Sequence, residues 1–141
     1  MAVKIESKNY HINLGFGGLR LLRLKVAELT EPDIFQHYKN LEKSVMLYGA
    51  EREKFFDDYN KKIAELDEKY EGKYADILDF LYETDCGGKM DPAHCKSIYG
   101  IIKDYNDEIP YGYVGRPDCA KFADFKQLVK DCVDTDTAMK W

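Results

Sequence analysis

Residues 3–19 read VKIESKNYHINLGFGGL, and this stretch decides the fold class. Apolar and polar residues alternate on both sides of a polar turn at residues 6–9, with Val3 and Ile5 before it and Tyr10, Ile12 and Leu14 after it. Alternation with a period of two is typical of strands that bury one face, so we predict a β-hairpin. Because a lone hairpin is marginally stable in water, it must pack against helices or against another chain.

The remainder of the chain has the spacing of amphipathic helices. Residues 15–18 break the strand, and apolar residues then recur at helical spacing at Leu19, Leu22, Val26 and Leu29. Further helix starts are predicted at a capping Thr30, at Asp91 before a proline, and near Asp118. We therefore predict an α+β fold in which an N-terminal β-hairpin is followed by about six mostly amphipathic helices, with residues 1–141 forming a single domain.

Composition and charge exclude several classes of protein. The chain has 141 residues, 21 of them basic and 26 acidic, with a formal charge of −5. An acidic chain lacks the basic surface that non-specific nucleic-acid binding requires. No apolar run approaches the roughly 20 residues of a membrane span, and the N-terminus shows no apolar core of a signal peptide. We expect a cytoplasmic protein (in the host cytosol, if it is phage-encoded) that binds neither nucleic acid nor membranes.

The first candidate site is the segment from Tyr111 to Asp118. It combines Tyr111 and Tyr113 with Gly115 and Arg116, just before a predicted helix start. A helix N-terminus favours anions, an arginine adds a bidentate contact, and tyrosine rings stack on bases. The alternative is an ordinary surface turn, and Asp118 as a capping residue would compete with a bound anion.

The second candidate site joins the glycines at 15–18 to the helix that follows. Gly17 and Gly18 precede Arg20 and Arg23, two of only four arginines in the chain. The segment lacks the third glycine of a dinucleotide-binding fingerprint, since that position is Arg20. It is predicted either to bind an anion or to be a turn followed by an exposed basic helix face.

Catalytic, cofactor and metal motifs are not evident. No two of the four cysteines have C-x₂-C spacing, and Cys95 and Cys132 lie on apolar helix faces, where we predict core positions. The three histidines, His11, His37 and His94, have no motif-spaced nucleophile or ligand partner. We therefore predict no catalytic residues, cofactor or metal, and favour a binding protein over an enzyme.

Three blocks of sequence resemble a known group of proteins. They are the stretch from Gly15 to Arg23, the stretch from Ile77 to Gly88, and the stretch from Tyr111 to Cys132. Together they resemble small bacteriophage and mobile-element proteins of low-GC Gram-positive bacteria, of the anti-defence or immunity type. The resemblance implies a protein that inhibits a defence system, either by binding a protein or by sequestering a nucleotide signal. It transfers no site residue.

Two functional hypotheses follow. The first is a non-enzymatic protein that binds an anionic, nucleotide-like small molecule through the two glycine–arginine segments, as a sponge for a nucleotide-derived immune signal. The alternative is an inhibitor or immunity protein that binds a protein target through the acidic helix around residues 51–70. The strand edges of the hairpin and the eleven tyrosines favour a homo-oligomer.

Overall fold

The hairpin predicted from the first residues is present in the computed structural model, which describes residues 2–106 and 120–141. Strand β1 spans Ala2–Glu6 and strand β2 spans His11–Gly15. The two are antiparallel, with Val3 opposite Leu14 and Ile5 opposite Ile12, and all four side chains are buried. The alternation in the sequence therefore marks the buried face correctly.

The hairpin is the first half of a four-stranded antiparallel sheet with the order β2-β1-β4-β3. Strand β3 spans Lys89–Met90, and strand β4 spans Met139–Lys140. The sequence did not predict these two-residue strands, because they are too short to show a period and arise from tertiary pairing. They bring the C-terminal Trp141 beside Gly88, whose carbonyl accepts a hydrogen bond from the Trp141 N–H at 3.0 Å.

The described residues also form six α-helices, and this confirms the predicted α+β class. Their bounds are α1 Phe16–Glu28, α2 Pro32–Lys39, α3 Gly49–Lys69, α4 Ala75–Tyr82, α5 Pro92–Ile102 and α6 Phe122–Thr135. Helices α1, α5 and α6 contact the strands. A 3₁₀ segment, Asn40–Met46, joins α2 to α3. Of these helices, none is both long enough and apolar enough to cross a membrane.

Three helix starts differ from the sequence prediction. Helix α1 begins at Phe16, inside the glycine segment that was predicted to precede it. Thr30 is not a cap, because Glu31 occupies the cap position of α2 and the Thr30 hydroxyl donates instead to the Ala27 carbonyl at 2.6 Å. Helix α6 begins at Phe122, not near Asp118. The predicted cap at Asp91 is confirmed, since its carboxylate accepts a hydrogen bond from the His94 N–H at 2.8 Å.

One hydrophobic core connects the sheet and the helices. Phe80, Phe122 and Phe125 are fully buried at its centre. Cys95 and Cys132 are also fully buried in this core, as their positions on apolar helix faces predicted. Because α3 buries only Tyr59 and Leu66, most of that long helix faces solvent.

Candidate functional site

A cleft of about 710 Å³ lies where α1 faces α3 and the end of α4. Its volume falls within the roughly 300–1,000 Å³ typical of small-molecule sites. Helix α1 contributes Gly17, Arg20 and Arg23, whose spacing of three residues places them on one helix face. The second candidate segment of the sequence therefore lines a cleft large enough to hold a small molecule.

Arg23 lies at the buried end of this helix face. Only 4% of its side chain is exposed, although it carries a full charge. One terminal nitrogen, Nη1, donates to Asp85 Oδ1 at 2.7 Å. The other, Nη2, donates to the Glu83 carbonyl at 2.9 Å and to the Thr84 carbonyl at 3.3 Å. The expected alternative, an exposed basic helix face, is therefore wrong at this position.

The guanidinium of Arg23 is also held by aromatic rings, and one of its donors is unused. Its central carbon lies 5.7 Å from the ring centroids of both Phe80 and Trp141, close enough for cation–π attraction. The Nε–H has no hydrogen-bond partner among the described residues, although it is buried. A buried donor left unpaired costs about 1–3 kcal/mol. Arg23 lines the cleft, so an anion bound there can replace one of the present partners of its guanidinium.

The N-terminus of α1 adds positive potential to the same cleft. Gly15 is the cap residue, and no side chain accepts a hydrogen bond from the first turn. The first turn also contains no acidic residue that would offset the helix dipole. Gly17 is exposed there, and a Cβ added to it would meet nothing within 4 Å. The backbone at Gly17 is therefore exposed at the positive end of α1.

Arg20 lies one helical turn from Gly17, nearer the mouth of the cleft. Its Nη2 lies 2.8 Å from Glu42 Oε1, and about half of each side chain is exposed. Exposed ion pairs of this kind contribute little to stability and exchange partners easily. Arg20 is therefore free to turn toward a bound anion.

The wall of the cleft opposite α1 is aromatic, and His37 packs against the rings that form it. Tyr59 and Tyr82 line the cavity, and the His37 ring stacks on the Tyr59 ring at 3.8 Å between centroids. His37 Nε2 lies 3.1 Å from the Tyr59 carbonyl, which can only accept, so this nitrogen carries the proton. His37 Nδ1 then accepts from the Tyr82 hydroxyl at 2.7 Å, and the Tyr59 hydroxyl donates to the His37 carbonyl at 2.9 Å.

Burial keeps this wall uncharged at neutral pH. It lowers the pKa of His37 and outweighs the hydrogen bond from the ring to the Tyr59 carbonyl. Burial likewise raises the pKa of Tyr59 to about 12 and raises that of Tyr82 well above its usual range. Three neutral, mutually bonded rings form a rigid surface suited to stacking rather than to proton transfer.

The structure gives no position for the first candidate segment of the sequence. Tyr111, Tyr113, Gly115 and Arg116 lie outside the described residues. Gly18, from the second segment, is buried and does not line the cleft. The structure thus brings together Gly17, Arg20 and Arg23 of the predicted site residues.

Sequence reasoning missed a second group of side chains. Asp76 and Asp79 on α4 meet His94 on α5, and the three offer ligand atoms within 4.8 Å of one another. Partial burial works to lower the pKa of His94, but hydrogen bonds to Asp79 and Asp91, with the charge of Asp76, raise it to about 9. The signal in the sequence was a pair of three-residue spacings, Asp-x-x-Asp and Asp-x-x-His, on consecutive helices.

Comparison of the chain with protein families, with curated proteins and with solved structures finds no match.

Proposed function

We propose that this protein binds a small anionic molecule carrying an aromatic ring, of the nucleotide type, in the cleft beside α1. The observation that carries the proposal is that Arg20, Arg23 and the N-terminal turn of α1 line one cleft, with Arg23 held in place by buried contacts. The protein holds the molecule without converting it, and so acts as a binding protein or sponge. In a phage or mobile-element setting, the molecule would be a nucleotide-derived immune signal.

The ion pairs that line the cleft can rearrange when an anion binds. Formally, Arg20 and Arg23 are balanced by Glu83 and Asp85 in the lining. The Asp85 side chain is 65% exposed, so it can turn into water when an anion takes its place on the buried Arg23 guanidinium. An anion then gains a buried, pre-positioned guanidinium together with the positive end of α1, and charge-assisted hydrogen bonds of this kind are stronger than neutral ones.

The aromatic wall supplies the second half of the recognition. The cavity is lined by rings from four helices: Phe16 of α1, Tyr38 of α2, Phe56 and Tyr59 of α3, and Tyr82 of α4. Stacking of a base on such a ring contributes about 1–3 kcal/mol. An anionic group at the α1 end, with a ring against this wall, matches a mononucleotide or a cyclic nucleotide better than it matches inorganic phosphate.

A charge placed at Gly17 tests this proposal without disturbing the fold. Gly17→Glu puts a carboxylate in the open space at the N-terminus of α1, where it favours the helix but repels a bound anion. Gly17→Gln is the matched neutral control. The probes are AMP, cyclic di-AMP and inorganic phosphate, with heats of binding measured by calorimetry.

We expect at least one nucleotide probe to bind wild type and Gly17→Gln with similar affinity, and Gly17→Glu at least tenfold more weakly. Denaturation of the complex should return the nucleotide chemically unchanged. Binding of no probe, or equal binding by the glutamate and glutamine variants, would contradict the proposal.

A second candidate function is supported by the exposed face of α3. Glu51, Asp57, Asp58 and Glu65 are all exposed on this helix. At its N-terminal end, Val45, Met46 and Tyr48 are more than 70% exposed. Exposed apolar side chains next to a helix that carries exposed acidic ones suit a basic protein target, as expected of an inhibitor or immunity protein. Charge reversal at the four acidic positions should then abolish capture of that target from a host lysate.

The predicted homo-oligomer remains part of the proposal. Strand β1 lies inside the sheet between β2 and β4, so only β2 is available as a hairpin edge. The Asn13 carbonyl of β2 accepts a hydrogen bond from the Ala120 N–H at 3.2 Å. This contact already occupies part of the free edge of β2, and sedimentation equilibrium would measure the number of subunits.

A further inference from the structure

Two aspartates and one histidine converge at the α4–α5 junction. His94 Nε2 lies 2.8 Å from Asp79 Oδ2 and 3.4 Å from Asp76 Oδ1. With metal–ligand bonds of about 2.0–2.2 Å, the ligand atoms of a tetrahedral site lie roughly 3.3–3.6 Å apart. The three side chains therefore need only small movements to surround an ion.

The remaining polar atoms of two of these side chains are already engaged elsewhere. His94 Nδ1 lies 2.7 Å from Asp91 Oδ1, and Asp91 is itself fixed as the N-cap of α5. The Ser97 hydroxyl donates to Asp76 Oδ2 at 2.5 Å. Outer contacts of this kind orient metal-binding histidines and carboxylates and fix which nitrogen is available. They leave His94 Nε2 and Asp76 Oδ1 directed toward Asp79.

The group opens onto a cavity of about 420 Å³. Asp79 and His94 line this cavity together with Lys89, Tyr82 and Glu83. Structural zinc sites are closed by four protein ligands, whereas sites that bind further molecules keep a position open. Tyr82 and Glu83 also line the larger cleft, so the two cavities lie on either side of the same short segment.

We propose that Asp76, Asp79 and His94 bind one divalent transition-metal ion of the zinc class, with at least one coordination position open to this cavity. When the ion binds, His94 Nε2 releases its proton to solvent and coordinates through the freed lone pair. Lys89 places a second positive charge in the cavity, so the open position suits a small anionic ligand such as a carboxylate or phosphate group.

The donor set decides which ions the site prefers. One imidazole nitrogen and two carboxylate oxygens suit Zn²⁺, Co²⁺ and Mn²⁺. Ca²⁺ and Mg²⁺ take oxygen ligands almost exclusively and gain little from an imidazole. Neither hard cation should therefore compete with an equal concentration of Zn²⁺.

Cobalt provides a spectroscopic test that does not depend on any activity. Chelator-treated protein is titrated with Co²⁺, visible d–d absorption is recorded, and Zn²⁺ is then added as a competitor. Asp79→Asn is the main variant, because Asp79 is 63% exposed and its amide should leave the fold intact. His11→Ala and Asp58→Asn are matched controls, since both residues are exposed and lie outside the group. Melting midpoints in chelator confirm that each variant is folded.

We expect saturation at one Co²⁺ per chain, displacement by Zn²⁺, and no displacement by equimolar Mg²⁺. Asp79→Asn and His94→Ala should weaken binding at least tenfold, and the two controls should bind like wild type. Loss of an outer contact typically lowers metal affinity 10–100-fold, so Ser97→Ala should lower it by about tenfold, the smaller loss in that range. Absence of a saturable cobalt spectrum, or equal binding by Asp79→Asn and wild type, would overturn the proposal.

Discussion

Gly88→Ala should displace the tryptophan that covers Arg23. A Cβ on Gly88 would lie 2.2 Å from Trp141 Cε2 and 2.5 Å from Trp141 Nε1, distances that side chains do not tolerate. The indole must therefore move away. It would lose the 2.7 Å hydrogen bond from Nε1 to the Thr84 carbonyl, the edge-to-face contact with Phe80 and the cation–π contact with Arg23.

The size of the effect follows from these contacts. The hydrogen bond contributes about 0.5–1.5 kcal/mol, the aromatic pair about 0.5–1.5 kcal/mol and the cation–π contact about 0.5–1 kcal/mol or more. We expect Gly88→Ala to lower the free energy of unfolding by about 2–4 kcal/mol, which corresponds to roughly 6–15 °C in Tm for a chain of this size.

Trp141 itself reports the movement, because it is the single tryptophan in the chain. Its fluorescence emission should shift to longer wavelength in the folded variant as the indole becomes more exposed. Gly100→Ala is the control: Gly100 is exposed inside α5 with nothing within 4 Å of an added Cβ. Alanine there should raise stability by about 0.5–1 kcal/mol. Wild-type emission and an unchanged unfolding midpoint in Gly88→Ala would refute the packing described around Arg23.

Three further predictions concern the hairpin, the aromatic wall and the cleft. Asp131 accepts hydrogen bonds from the Ser7 hydroxyl at 2.7 Å and from both the backbone and side-chain nitrogens of Asn9 at 2.9 Å. Asp131→Ala should therefore lower the free energy of unfolding in urea by about 1–3 kcal/mol. An unchanged unfolding midpoint would argue against a stabilising role for these bonds to the hairpin turn. Because the pKa of His37 is lowered in the folded protein, its contribution to stability is fully present above the unfolded pKa of about 6.5 and is lost as pH falls below it. His37→Asn should flatten the decline in Tm between about pH 6.5 and pH 5, and an equally steep decline would contradict the assignment. Asp85→Asn should tighten nucleotide binding by freeing Arg23, whereas weaker binding would show that Asp85 contacts the ligand itself.

The elements predictable from the sequence are those whose signal is local. The hairpin follows from the alternation around Ile5 and Ile12, and the buried positions of Cys95 and Cys132 follow from helical spacing. The start of α1 was misplaced because glycine has low helix propensity, yet Gly18 and Leu19 pack into the core and tertiary contacts override that propensity. Strands β3 and β4 carry no local signal at all.

Site residues were likewise predictable where their signal is local in the sequence, and they were missed where it depends on tertiary contacts. Gly17, Arg20 and Arg23 were found because glycines beside scarce arginines stand out in one short segment. The aromatic wall was missed because Tyr59 and Tyr82 come from different helices and meet only through tertiary packing, with their hydroxyl oxygens 3.2 Å apart. The group of Asp76, Asp79 and His94 was missed because each spacing is common by itself, and only the packing of α4 on α5 joins them.

The central claim is that the cleft beside α1 holds a nucleotide-like anion, and native mass spectrometry of gently purified protein tests it most directly. Wild type and Gly17→Gln should each carry excess mass equal to one nucleotide-sized molecule per chain, and Gly17→Glu should be bare. A bare wild type that fails to gain mass from any nucleotide probe, or equal excess mass on Gly17→Glu, would contradict the claim.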